Sequence, residues 1–168
     1  MIRPTVRVKD SFAAALIEYR RENRYVDLDP NELADPTGFR TYLAALTAEA
    51  RPDTSRPPGV VPQTTMWWAD GVEFLGRVSI RHQLTEALRS IGGHIGYDVR
   101  PSVRRMGHAT AMLGAALPVA ADLGIDPALV TCDEDNAASR RVIERNGGRL
   151  SCHGAGKLRF WLSTRTDQ

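Results

Sequence analysis

Between Val99 and Thr110 the chain reads Val-Arg-Pro-Ser-Val-Arg-Arg-Met-Gly-His-Ala-Thr, and no other stretch restricts its fold as much. An apolar run, Ile95 to Val99, precedes it and reads as a strand; an alanine-rich stretch beginning near Gly107 follows and reads as a helix. A strand that enters a helix through small residues leaves first-turn N–H groups unpaired and aimed the same way. Together with the positive end of the helix dipole, those donors make an anion site. Gly107 and Ala109 leave the backbone uncovered, and Arg100, Arg104 and Arg105 add positive charge beside it. The implied ligand carries a pyrophosphate. The candidate binding set is Asp98, Val99, Arg104, Arg105, Met106, Gly107, His108, Ala109 and Thr110, with His108 placed to touch phosphate.

Spacing narrows the ligand. The G-x-G-x-x-G dinucleotide fingerprint is absent, and Gly107 is followed by His108 rather than by the Lys-Ser/Thr of a nucleoside triphosphate loop. What remains is Arg104-x-x-Gly107-x-Ala109. Further on, Ala128 to Cys132 reads as a buried strand ending in Asp133-Glu134-Asp135. Asn136-Ala-Ala-Ser139 then opens an amphipathic helix that stops at Asn146-Gly147-Gly148. These two segments resemble the R/Q-x-x-G-x-G/A and D-x-x-N-x-x-A/S motifs of the GNAT superfamily of N-acetyltransferases, in the same order. The more local strings Val61 to Trp68, Ile80-Arg-His82 and Gly92 to Tyr97 are similar to a bacterial subgroup of it.

The resemblance implies that the first loop cradles the pyrophosphate of acetyl-coenzyme A (acetyl-CoA), a cosubstrate. It also implies that Asn136 and Ser139 lie near the pantetheine arm. Asn136 is equally a good helix cap, and both roles can hold together. The implied fold is an α/β (α+β) GNAT acyltransferase fold. It has a mixed, mostly antiparallel sheet of about six to seven strands with splayed central strands, flanked by helices. The whole chain, 1–168, is expected to be one domain, with a helical part at 1–59 and the sheet and coenzyme core at 60–162.

Length and composition agree. A chain of 168 residues suits one domain, and a net charge of +2 excludes a strong nucleic-acid footprint. No apolar run approaches the roughly twenty residues of a membrane span, so the chain is expected to be cytoplasmic, with no membrane or nucleic-acid partner. Cys132 and Cys152 make neither a disulfide framework nor a zinc pattern, and no metal is expected. A monomer or a homodimer both fit.

Periodicity orders the rest. Val6 to Val8 is a candidate first strand, and Asp10 a cap for a helix carrying Phe12, Leu16 and Ile17. Asp27 to Pro36 reads as a break, and Phe39 to Ala50 as a helix. Val60 to Ala69 and Val72 to Arg81 flank Asp70-Gly71, a hairpin signal. A second hairpin joins Arg149–Cys152 to Lys157–Leu162. Trp67 and Trp68 point to opposite sides of their strand, and Pro118 is expected to kink the helix that follows Gly107.

The resemblance implies direct attack of a primary amine, of a small molecule or a peptide, on the thioester. A base must then reach the amine directly or through one water. His82 and His94 are the candidate bases. The tyrosine that many family members carry on the second-motif helix is replaced by Ile143, so the acid passes to Tyr97, Cys132 or water. That replacement also leaves open a non-catalytic acyl-CoA sensor. Cys132, in a buried strand, reads as packing.

Overall fold

The computed structural model describes residues 1–165; the last three residues of the expected domain lie outside the described residues. Helix α1 (Lys9–Arg20) buries Phe12, Ala15, Leu16 and Tyr19, the spacing of one helical face. Ile17 falls off that stripe and is 53% exposed. Asp10 sits within the first turn, and Val8 takes the cap position. The expected strand at Val6–Val8 is instead a single 3-10 turn. The sheet is met by Ile2, whose N–H and C=O both pair with Trp67 at 2.8 Å. Pro4 has no N–H with which to prolong that pairing.

The acidic, proline-rich stretch read as a break contains its own helix starts. Asp29 caps α2 (Pro30–Ala34), and Asp35 caps α3 (Pro36–Glu49) by accepting hydrogen bonds from the amides of Thr37 and Gly38. Asp followed by Pro is a helix-opening pair, because Pro lacks only an N–H that the first turn leaves unused.

Strands β1 (Gln63–Asp70) and β2 (Glu73–Arg81) form the expected hairpin, and β3 (Ile95–Val99) pairs antiparallel with β2. Between them lies the short helix α4 (Glu86–Ser90), capped by Thr85. Helix α5 (His108–Asp122) crosses from β3 to β4 (Ala128–Asp133) and runs unbroken through Pro118. Helix α6 (Ala137–Arg145) follows, then the hairpin of β5 (Arg149–Gly154) and β6 (Lys157–Leu162), giving the order β4-β6-β5.

Two apolar clusters cover the two faces of the first sheet. Phe12, Phe39, Trp67 and Phe74 stack on the side of α1 and α3, with the Phe12 and Trp67 rings 4.9 Å apart. Val78, Ile80 and Ile95 meet Met112, Leu113 and Ala116 of α5 on the other, in a cluster that continues to Val130 and Phe160 of the second sheet. Hydrogen bonds at and just before His94 join the two sheets, the Gly92 N–H donating to Thr131 Oγ1 at 3.0 Å. The N–H of His94 donates to Leu129 O at 2.7 Å, and the N–H of Leu129 donates back to His94 Nδ1 at 3.0 Å. Gly93 precedes this contact at φ +63°, where a Cβ would stand 2.4 Å from Leu129 O, so only glycine permits the approach. Beyond His94 no backbone hydrogen bond joins β3 to β4 among the described residues. These are the splayed central strands.

Candidate active site

The turn after β3 is braced from below. Glu18, in the last turn of α1, and Glu22, just past the end of that helix, reach up to it. Glu18 accepts from Arg100 Nε at 2.8 Å and from the Ser102 amide at 2.9 Å. Glu22 takes both Nη atoms of Arg104, each at 2.8 Å. Burial works against charge on Glu18, but the hydrogen bonds from Ser102 and Arg100 outweigh it and hold the carboxyl below its ordinary range. Arg104 Nε also donates to Val99 O at 3.1 Å, closing the turn on itself. Arg100 and Arg104, expected to supply free positive charge, are therefore committed to carboxylates. Of the three, Arg105 alone has no ion pair among the described residues.

Bracing the turn this way exposes its amides. Arg105 (φ +65°) and Gly107 (φ +88°) both take left-handed conformations, and Gly107 occupies the cap position of α5 with no side-chain cap. The amides of Arg105, Met106, Gly107, His108, Ala109 and Thr110 donate to no described residue. A Cβ on Gly107 would meet nothing within 4 Å, so this backbone faces open space. The imidazole of His108 turns inward instead: its Nδ1 accepts from Trp68 Nε1 at 3.2 Å. That contact draws the ring away from the expected phosphate position and leaves the His108 amide in place. It also accounts for the two tryptophans, since Trp67 is fully buried and Trp68 packs toward α5.

Across the splay, Tyr97 on β3 reaches toward α6, its hydroxyl 2.7 Å from Ser139 Oγ. Burial pushes the phenol up to about 12, so it keeps its proton at neutral pH. Ser139 is fixed in turn, its amide donating to the Asn136 side chain at 2.9 Å, so Asn136 does cap α6. Ile143 is fully buried in the core, with its Cγ2 against Gly148. Cys132 is buried in the same core, which raises its thiol above the ordinary range and fits packing.

Neither histidine is placed as expected. Neutral imidazole has one lone pair, and that of His94 already accepts the Leu129 N–H. Burial, with Arg89 and Arg81, lowers its pKa, consistent with a neutral clasp between the two sheets. His82 Nε2 lies 2.9 Å from Thr64 Oγ1, off the cleft described next.

That cleft, of about 320 Å³, opens on the face of the first sheet opposite α5. Arg77, Ser79 and Arg81 of β2 project into it, alternating with the buried Gly76, Val78 and Ile80. Asp98 lines it as well and is 8% exposed. Burial raises the Asp98 pKa, opposed by Arg24 at 2.9 Å and by the Tyr25 hydroxyl at 3.1 Å. Asp98, read as part of the coenzyme loop, thus turns its side chain to the opposite face; Val99, with its carbonyl on Arg104, stays at the loop. The strand alternation that places Arg77 and Arg81 in this wall was visible in the sequence as a polar stripe on an otherwise buried strand.

The GNAT acetyltransferase domain family matches residues 2–149. Among solved structures, the chain is similar to Mycobacterium smegmatis RimJ in complex with CoA-disulfide. The two share 23% identity at a TM-score of 0.64, over 94% of this chain and 79% of that one. It is also similar to the microcin C7 self-immunity acetyltransferase MccE, in complex with acetyl-CoA and AMP. There the identity is 13%, the TM-score 0.63, and the coverage 96% of this chain and 89% of that one. RimL, a ribosomal L7/L12 alpha-N-protein acetyltransferase, gives 16% identity and a TM-score of 0.59, covering 92% of this chain and 84% of that one. No curated protein matches. With the family's domain spanning nearly its whole length, and with parted strands beside an open helix entrance, this chain belongs to the GNAT acetyltransferase family.

Proposed function

We propose that this chain transfers the acetyl group of acetyl-CoA to a primary amine by direct attack. The observation that carries this reading is the run of uncommitted amides from Arg105 to Thr110 at the open end of the splay. Six donors around a helix entrance suit a diphosphate, and Gly107 lets the phosphate oxygens approach without a side chain between. From there the thioester arm runs into the gap between β3 and β4, passing Ser139 and Asn136. Past His94, the β3 backbone groups that point away from β2 have no strand partner among the described residues, and their N–H donors face the carbonyl oxygen that gains charge during attack.

Tyr97 is the proton donor for the departing thiolate. Its hydroxyl stands in the gap, stays protonated at neutral pH, and exchanges Ser139 for the sulfur when the arm enters. This serves the leaving group from β3 where many relatives use the helix, which is why the buried Ile143 does not remove the chemistry. The amine loses its proton to ordered water rather than to His94, whose lone pair is occupied, and Asp98 is the one carboxylate among the described residues that lines the cleft to take it up.

The buried Ile143 equally motivates an acyl-CoA sensor without turnover. A thermal-shift titration with acetyl-CoA, followed by thiol release with a panel of primary amines, separates the two. Stabilisation together with amine-dependent thiol release supports the transferase. Stabilisation with no release across the panel supports the sensor, and no stabilisation overturns both.

A further inference from the structure

The cleft on the face away from α5 has an unbalanced charge. Arg24, Arg77 and Arg81 line it, and among the described residues Asp98 is the one carboxylate in its wall. Asp98 is already paired with Arg24 at 2.9 Å and lies 3.9 Å from Arg104. Arg77 lies 5.2 Å from the Tyr25 ring centroid, has the Tyr42 hydroxyl and Glu49 as neighbours, and makes no ion pair among the described residues. Arg81 donates through Nη1 to the carbonyls of Gly92 and Gly93, both at 3.1 Å, and has no carboxylate partner among the described residues. Guanidinium groups sunk in a protein wall are ordinarily paired, because taking the charge out of water is costly. Two such groups share one small cleft, four residues apart on one face of β2, with the Ser79 hydroxyl between them. Forked donors of this kind match the oxygens of a carboxylate or a phosphate.

We infer that the acceptor is an amine bearing its own anionic group, and that Arg77 and Arg81 bind that group while the amine faces β3. The inference rests on the transferase reading and adds the class of substrate. Polyamines and other cationic acceptors are excluded by like charge.

The test compares matched pairs of acceptors with acetyl-CoA: β-alanine against its amide, and O-phosphoethanolamine against ethanolamine. Spermidine is included as a cationic acceptor. The expected result is that kcat/KM for one anionic member exceeds that of its neutral partner about tenfold or more. Whichever pair shows the preference tells carboxylate from phosphate. In Arg77→Gln that ratio falls toward one, and in Arg77→Lys, which keeps the charge, it persists in part. A ratio taken within one variant is insensitive to a general loss of folded protein. Equal rates for neutral and anionic members, or a preference for spermidine, overturn the inference. If no amine of any charge is acetylated, the transferase reading fails, and the anion site is judged by binding alone. Phosphate or acetate then raises the melting temperature of the wild type above that in chloride of equal ionic strength, and not that of Arg77→Gln. No such difference overturns the anion site too.

Discussion

Gly107 offers the sharpest perturbation of the phosphate loop, because its conformation and its surroundings separate two effects. At φ +88° any side chain costs about 1–2 kcal/mol of backbone strain. With no atom within 4 Å of the would-be Cβ, no clash adds to that. For a chain of this size, about 2–4 °C of melting temperature accompanies each kcal/mol, so Gly107→Ala should melt about 2–8 °C below the wild type. Gly107→Glu carries the same strain and should melt within a few degrees of the alanine variant. The ligand response is where they part. At a hundredfold excess over its Kd, acetyl-CoA stabilises a protein by about 2.7 kcal/mol. By the same conversion the wild type should shift upward by about 5–11 °C. Alanine keeps part of that shift, while glutamate, which sets a carboxylate among amides waiting for an anion, abolishes it. The assay is differential scanning fluorimetry of three proteins with and without acetyl-CoA. A Gly107→Glu protein that shifts as far as the wild type would refute the assignment of this loop.

Removing the Tyr97 hydroxyl, as Tyr97→Phe, should lower kcat by about a hundredfold, the low end for a general acid, because a thiolate leaves with little help. The KM for acetyl-CoA should barely move; a change in KM alone would point to positioning instead. Ile143→Tyr, which restores the residue many relatives carry, should destabilise the fold by about 1–3 kcal/mol without raising activity, since Ile143 is fully enclosed. A more active, equally stable variant would contradict the assignment of the acid to Tyr97. His94→Ala leaves the Leu129 N–H without its acceptor and should cost about 1–3 kcal/mol in chemical denaturation. The pH dependence has a definite sign. Burial lowers the folded pKa of His94 below its unfolded value near 6.5, so the unfolded chain binds more protons. Its contribution is complete above that value and declines as pH falls toward the folded pKa. His94→Ala should flatten the acid-side loss of stability, leaving the share due to His82, whose pKa shifts the same way. An unchanged slope would argue against the clasp.

What the sequence made legible was chiefly local. The Gly107 entrance, the Asp70-Gly71 hairpin and the second-motif helix all rest on contacts between residues close in the chain, and all three are found. The second hairpin is also present, its turn made by Ala155 and Gly156 at φ +55° and +71°. What escaped was set by distant partners. Glu18 on α1 and Glu22 just past it lie far along the chain from the arginines they neutralise, so Arg100 and Arg104 read as free charge. His94 read as a base because the Leu129 amide that occupies its lone pair comes from another strand. His108 read as a phosphate contact because Trp68, on β1, was not visible as its partner. The helix starts at Asp29-Pro30 and Asp35-Pro36 are a different kind of miss, since their signal is wholly local and was read only as a break. Arg77 and Arg81 were likewise in plain view as a polar stripe, but only the cover of Arg24 and Tyr25, in the loop after α1, turns that stripe into a cleft.

The most direct test of the account is amide hydrogen exchange, followed by NMR, with coenzyme A added to the folded protein. The amides of Arg105 through Thr110, which have no acceptor among the described residues, should gain protection and shift together on binding. If coenzyme A binds while these six amides exchange as before and the protected set lies elsewhere, the proposed grip on the diphosphate is wrong, and the catalytic scheme built on it falls with it.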